Sequence, residues 1–308
     1  MLSKGNWPVH EYACHFMEKL AFGVHLVSDE EAKVNRFAMG LPWEYHHLVS
    51  ITADITSNHM VTSEDRPQNL EVPVCDSFPV IDLGNPLQPI EAILKASQEF
   101  GFFQYFKESL HILLSETCIY RDIIAAYLLE IQKPSLRILE MIGEGLGLEP
   151  GYFNDISEVQ LLSSNFYPPC PDPSLTLGIL AHQDPSFITL VYQGDSTGLQ
   201  ILKDGRWINV GAISDAFIVN IGNQMEVISN GKLRSIDHRV VTSTHETRSS
   251  IATFVNPSFD CVIEPAKVLV NESEPSHYKA IQYKEYVHHN NAFGDYTVAL
   301  QNVIKLES

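Results

Sequence analysis

From about residue 158 onward, the apolar residues of this 308-residue chain recur at every second position rather than every third or fourth. The segments VQLLSSNFY, SFITLVYQG, GLQILKDGRWINV, DAFIVNIG, LRSIDHRVV and SSIATFVNP all alternate in this way. Turn formers separate them, namely Asp204-Gly205, Gly222 and Asn230-Gly231. Strands this short cannot cover their apolar faces singly. Recurring about every ten residues, they predict a β-sandwich or a closed barrel.

The residues before 158 carry a different pattern. FPVIDLG reads as a strand ended by Gly84, and PIEAILKASQEFG puts Ile90, Ile93, Leu94 and Ser97 on one helical face before stopping at Gly101. FGFFQYF is a further apolar segment. YRDIIAAYLLEIQ and SLRILEMIGEGLG are helical in period. Pro134 lies between them, and proline removes a backbone donor and crowds the preceding turn, so two helices or a kink are predicted. Residues 48–78, with three prolines in EDRPQNLEVPVCDSFP, read as an extended lead-in. KAIQYKEYVHH closes the chain as a helix. EYACHFMEKLAF reads as a short helix with no assignable role. The division is an unassigned segment over 1–47, a mostly helical region over 48–157, the β region over 158–262, and a C-terminal helix and tail over 263–308. The fold class is α+β.

Composition excludes several classes of function. The formal charge is −18 and the basic residues are scattered, so nucleic acid and anionic membrane surfaces are not expected partners. The five cysteines form no CxxC pair and read as reduced thiols of a cytoplasmic protein rather than a disulfide framework. The N-terminal stretch lacks the apolar core of a signal peptide, and no stretch is long and apolar enough to predict a membrane span.

The chemistry lies in the β region. LAHQDPSFITLV reads as one strand that opens with His182 and Asp184, two residues apart and so on one face of a pleat. His238 follows Asp184 after 53 intervening residues. Two imidazoles and a carboxylate are the ligand set of mononuclear non-haem Fe(II) sites, which leave coordination positions open. Alone, His-x-Asp is more often a surface hydrogen bond, and a lone barrel histidine is more often packed than ligating. Arg248 and Ser250 come next, again two apart. A guanidinium fork suits a carboxylate, and no acidic neighbour is evident in sequence. The bland alternative is an Arg paired with a distant Glu or lying on the outer face.

The full string, H-x-D-x53-H-x9-R-x-S, resembles the 2-oxoglutarate and Fe(II)-dependent dioxygenases, specifically the large plant family of specialised metabolism. FPVIDLG, NFYPPCPDPSLTLG, GLQILKDGRWINV and VISNGKLRSIDHRVV add to the likeness, which runs from about residue 48 to the end and is dense over 137–285. The resemblance implies a double-stranded β-helix (jelly-roll) core with flanking helices. It implies that His182, Asp184 and His238 hold Fe(II), that Arg248 and Ser250 bind the distal carboxylate of 2-oxoglutarate, and that Tyr167 and Asn165 line that co-substrate's site. Phe254, Asn256 and Ser163 fall where the family contacts its substrate, although core packing for Phe254 and closure of the barrel end by Tyr167 are alternatives. The activity implied is oxidation, chiefly hydroxylation, of a small specialised metabolite, with O2 as second co-substrate, release of succinate and CO2, and ascorbate as a supporting reductant. The implied protein is a monomer whose partner is a small molecule.

One departure stands out. The family continues its GFFQ strand with a further strand and several helices, whereas here Gln104 runs straight into Tyr105. This predicts exposed apolar side chains at that junction, an iron site open to solvent, and, as the alternative function, a truncated, catalytically impaired or binding-only member.

Overall fold

The computed structural model describes residues 72–75, 77–83, 89–106, 119–154, 156–157, 159–292 and 304–306, with short strands at 7–8, 52–55, 59–60 and 111–112. The stretch EYACHFMEKLAF lies outside the described residues. In chain order the early elements are β1 (Trp7–Pro8), β2 (Thr52–Ile55), β3 (His59–Met60), β4 (Val80–Asp82) and α1 (Pro89–Glu99). They are followed by β5 (Phe102–Phe106), β6 (His111–Ile112), α2 (Ile119–Leu146), β7 (Val159–Tyr167) and β8 (Thr176–His182). Next come β9 (Ile188–Tyr192), β10 (Leu199–Lys203), β11 (Arg206–Asn209), β12 (Phe217–Ile221) and α3 (Asn223–Ile228). The last elements are β13 (His238–Val241), β14 (Arg248–Asn256), β15 (Val262–Ile263), β16 (Ile281–Gln282) and α4 (Tyr283–Ala292).

Two sheets make the core. One has seven strands in the order β2-β7-β14-β9-β12-β5-β4, and the other five in the order β11-β10-β13-β8-β3. The result is a jelly roll with flanking helices, as the alternating segments predict. The extended lead-in is more ordered than the sequence suggests. β2 pairs in parallel with β7 and β3 pairs with β8, so residues ahead of 78 contribute a strand to each sheet.

Alternation along the large sheet sorts its side chains into two cores. Phe103, Tyr105, Leu190, Phe217, Val219, Ile221, Ile251 and Val255 share one buried cluster with Ile93 of α1 and Ile131, Ile138 and Ile142 of α2. Their in-between neighbours face the other way. Phe102, Tyr167 and Ile218 join Leu199, Ile201 and Val240 of the small sheet in a second cluster inside the roll. The first core attaches the helices; the second closes the sheets on each other.

Two expectations are corrected here. Of the two helices or a kink expected at Pro134, the two separate helices are not found: α2 is one helix from Ile119 to Leu146 with Pro134 inside it. An interior proline costs about 3 kcal/mol, but Ile131, Ser135 and Ile138 on either side are fully buried. Burying one Ile is worth about 1.5–3 kcal/mol, so the stripe outweighs the break. The Ser135 hydroxyl also donates to the Ile131 carbonyl at 2.7 Å, adding a bond beside the one that proline removes. Gln104 and Tyr105 are themselves covered, although Val80, the β4 partner of Gln104, is 44% exposed. Both residues lie within β5, which pairs with β12 and β4, and Phe102, Phe103, Gln104 and Tyr105 are all buried. Tyr105 stacks on Phe217 at 5.6 Å, and Gln104 donates to the Gly211 carbonyl at 2.7 Å.

Candidate active site

His182 is the last residue of β8, and Asp184 lies beyond it in the turn that leads to β9. The two therefore do not share a strand face, contrary to the reading of LAHQDPSFITLV as one strand; the turn brings them together instead. His238 opens β13 and is the direct cross-strand partner of His182. Imidazole and carboxylate donor atoms of all three residues lie within 4.8 Å of one another. Both His182 Nε2 and His238 Nε2 are 3.5 Å from Asp184 Oδ1. The site is not open to solvent in the way the sequence suggests, since the Asp184 and His238 side chains are only 4% and 9% exposed and His182 15%.

The surroundings aim these donors. His182 Nδ1 lies 2.8 Å from the Leu180 carbonyl and His238 Nδ1 3.2 Å from the Ile236 carbonyl. Each imidazole so donates through Nδ1 and leaves the Nε2 lone pair directed at the cluster. Asp184 Oδ2 accepts from Thr189 Oγ1 and, at 2.7 Å, from Asn220 Nδ2. Thr189 and Asn220 are cross-strand partners on β9 and β12, so the sheet register delivers both donors to one oxygen. Oδ1 remains for a cation. Two imidazole nitrogens and one carboxylate oxygen, all oriented by their own hydrogen bonds, fit a divalent metal of the Fe(II) kind.

Electrostatics agree with that fit at Asp184 and His238, while in the metal-free protein Asp184 favours the protonated form of His182. Burial opposes ionisation of Asp184, but His238, His182 and the Thr189 hydroxyl outweigh it and hold the carboxyl well below the usual carboxylate range. Burial, and then the adjacent His182, push His238 down to about 4, so it is neutral at neutral pH. Burial lowers His182 too, but its hydrogen bond and attraction to Asp184 outweigh that and raise it. A cavity of about 470 Å³ is lined by Gln183, Ile236 and Asp237 but by none of His182, Asp184, His238 or Arg248, so it is not the space those four residues share.

Arg248 and Ser250 occupy the inner face of β14. Their cross-strand partners on β7 are Tyr167 and Asn165, so the four form two adjacent pairs. Arg248 is 5% exposed, donates to Ser250 Oγ and Gln193 Oε1 at 3.2 Å each, and sits 5.1 Å from the Tyr167 ring centroid. Among the described residues no carboxylate lies within ion-pair distance of it, and its Nε has no hydrogen-bond partner. Tyr167 and Phe102 belong to one apolar cluster, and Phe102 meets His238 edge-on at 5.3 Å. The guanidinium and the metal-ligand cluster therefore face the same interior. Asn165 and Ser163 are bonded to each other, with the Ser163 hydroxyl donating to Asn165 Oδ1 at 3.1 Å. Asn256 is 1% exposed and its Oδ1 accepts from the Tyr283 hydroxyl at 2.8 Å, whereas Phe254 is half-buried.

The 2OG-Fe(II) oxygenase superfamily profile matches residues 158–257. The chain carries a 2OG-Fe(II) oxygenase domain. This oxygenase domain is similar to hyoscyamine 6-dioxygenase of Hyoscyamus niger, 48% identical over 170 residues that cover 54% of this chain and 49% of that protein. It is also similar to 1-aminocyclopropane-1-carboxylate oxidase of Prunus mume, 39% identical over 183 residues, 58% of this chain and 55% of that one. The chain spans about half the length of the curated relatives it matches. Among solved structures, that of JOX2 in complex with 2OG, Fe and JA superimposes with a TM-score of 0.64 and 27% identity, covering 76% of this chain and 90% of that one.

Several residues that shape the oxygenase site were not singled out from sequence. Thr189 and Asn220 are polar residues at inward positions of otherwise apolar strands, a signal that alternation in SFITLV and DAFIVNIG carries. Gln193, the Arg248 partner, has no such signal. Gly222, legible only as a turn former, is required by close approach. A Cβ there would collide with the backbone carbonyl of Ser186 in the Asp184 turn. Gly222→Ala is expected to destabilise the fold by about 3 kcal/mol, the upper end of what overpacking costs. A urea melt checks this, and an unchanged midpoint would show that the turn yields easily.

Proposed function

We propose that this chain is a 2-oxoglutarate- and Fe(II)-dependent dioxygenase that hydroxylates a small specialised metabolite and releases succinate and CO2. The observation that carries the reading is Arg248, a buried cation without a carboxylate partner among the described residues, which faces the same interior as the three-residue cluster of His182, Asp184 and His238. In this reading His182 Nε2, Asp184 Oδ1 and His238 Nε2 hold the iron. Arg248 and Ser250 bind the distal carboxylate of 2-oxoglutarate by charge-assisted hydrogen bonds, and Tyr167 and Asn165 line its flank. When bound, Fe(II) supplies the redox chemistry by which O2 converts 2-oxoglutarate to succinate and CO2 and a substrate C–H to an alcohol. The protein residues orient the co-substrate and exclude water from it.

Ser163, Phe254 and Asn256 are the substrate-facing residues of this proposal. The likeness to plant dioxygenases supports a plant specialised metabolite, and the −18 charge tolerates a cationic one. No described helix is long and apolar enough to cross a membrane, and the described cysteines Cys75, Cys170 and Cys261 are free thiols, which supports a cytoplasmic site of action. We propose a monomer, with ascorbate as supporting reductant.

The second reading, a roll that binds 2-oxoglutarate without oxidising a further substrate, draws on Ser163 and Asn256. Both already spend their polar atoms on protein partners. Succinate release from 2-oxoglutarate separates the two. The first reading expects Fe(II)-dependent succinate that a chelator abolishes and a suitable metabolite accelerates. Tight 2-oxoglutarate binding without succinate would favour the second, and neither binding nor succinate would sink both.

A further inference from the structure

The turn that carries Asp184 is held by a segment that offers no ligand itself. The N–H groups of Gly222, Asn223 and Gln224 donate to the carbonyls of Phe187, Asp184 and Ser186 at 2.9, 2.7 and 3.1 Å. Three successive donors on three carbonyls of one turn make the start of α3 a template for the Asp184 backbone. What fixes the template is the Asn223 side chain. Asn223 is 4% exposed, its Nδ2 donates to the Tyr286 hydroxyl at 2.8 Å, and its Oδ1 has no partner. Tyr286 lies on α4, is 1% exposed, and stacks on Tyr283 with ring planes 14° apart. Its hydroxyl is thus the anchor of the Asn223 carboxamide among the described residues.

We propose that Tyr286 is a positioning residue for the metal centre, holding the Asp184 turn in place through Asn223. The proposal rests on the reading of His182, Asp184 and His238 as metal ligands. Tyr286→Phe keeps the ring and its stack but removes the hydroxyl. The Asn223 carboxamide is then buried with both ends unpaired, a costly state that it escapes only by turning toward water. That turn moves the Asn223 N–H away from the Asp184 carbonyl. Thr189 and Asn220 still hold the carboxylate itself, so the effect is graded.

The test is a Co(II) titration of the purified full chain, followed by visible d–d absorption and paired with thermal melting. Tyr286→Phe is expected to bind Co(II) about three- to tenfold more weakly, at or below the low end of what outer-shell mutations cost, with an altered d–d band. Tyr278→Phe is the control. It removes another phenol bond to α3, the one from Tyr278 to Glu226 Oε1 at 2.9 Å, without touching Asn223. It should retain the parent affinity and spectrum. Parent-like binding by Tyr286→Phe overturns the proposal, as does an equal loss in Tyr278→Phe, which would mean a general loosening of α3. If Tyr286→Phe fails to fold, Asn223→Ala, which removes the anchored amide but keeps the backbone N–H, is expected to show the same weakening, and parent affinity there overturns the proposal. A parent chain that binds no Co(II) through His182 fails earlier and takes the metal reading with it.

Discussion

Asp184→Ala is expected to abolish divalent-cation binding while the roll stays folded. Among the described residues Asp184 is the only carboxylate in the cluster, and the two histidines it joins come from one cross-strand pair. Without it, two imidazoles face each other at 4.2 Å between ring centroids and no anionic ligand remains. Outer-shell changes cost 10–100-fold in metal affinity, so loss of the carboxylate ligand itself should cost more than about 100-fold. Stability is affected less, because two effects oppose. Asn220 Nδ2 loses its acceptor inside the fold, which costs about 1–3 kcal/mol, whereas Thr189 keeps its bond to Ser186 at 3.0 Å. Removing the charge relieves its desolvation, but in the parent His238, His182 and the Thr189 hydroxyl more than compensate that burial, so the relief is only partial. The expected result is a cooperative melt lowered by several degrees but still that of a folded roll, at about 2–4 °C per kcal/mol, with no Co(II) d–d spectrum at any practical concentration. Retained Co(II) affinity would remove Asp184 from the site, and a molten variant would make its role structural.

How much of this was readable in the chain depends on the range of the interaction. Alternation is local, so the strands of the β region appear where their patterns place them, and Asp204-Gly205 forms its hairpin with both residues at positive φ, 50° and 73°. The convergence of His182 and Asp184 was legible, but the reason given for it was not the physical one. The strand ends at His182, and the turn is shaped by α3, whose docking depends on the missing Cβ of Gly222. Nothing in the sequence near residue 184 announces a partner at 222. Pro134 shows the same limit from the other side. A local rule breaks the helix there, but burial of Ile131 and Ile138 against the large sheet keeps it whole. Arg248 was legible as a cation without an acidic neighbour. Its real companions, Gln193 and the Tyr167 ring, become visible only through the register of β14 on β7 and the turn after β9. Gln104 and Tyr105 are covered because β5 lies between two strands, and a strand's own sequence leaves no trace of its second neighbour.

Arg248→Met separates the anion site from both the metal and the fold. In the ligand-free protein the guanidinium is buried with only neutral partners, and burial pushes its pKa down despite the favourable influence of Tyr167. Breaking a buried pair normally costs several kcal/mol, but among the described residues there is no ionic partner to strand. Methionine fills much of the stem's volume, and the loss falls on Gln193 Oε1, about 1–3 kcal/mol for an unpaired acceptor. Removal of the desolvated charge offsets much of this, so the ligand-free variant should melt within about 4 °C of the parent, given 2–4 °C per kcal/mol for a domain of this size. Binding is another matter. Two charge-assisted bonds worth about 1.5–3 kcal/mol each disappear, which weakens 2-oxoglutarate binding by at least about a hundredfold. At a concentration about 100 times the parent's Kd, 2-oxoglutarate adds about 2.7 kcal/mol to the Co(II)-loaded parent, and about 0.4 kcal/mol to a variant binding a hundredfold more weakly. Co(II) affinity should stay at the parent value, because none of the hydrogen bonds or ring contacts of Arg248 reaches His182, Asp184 or His238. Thermal melts with and without 2-oxoglutarate, beside a Co(II) titration, read all three quantities. A variant stabilised by 2-oxoglutarate as strongly as the parent would show that the co-substrate's carboxylate lies elsewhere. A collapse of the ligand-free melt would instead make Arg248 a structural cation, held by Ser250, Gln193 and Tyr167 for the sake of the sheet.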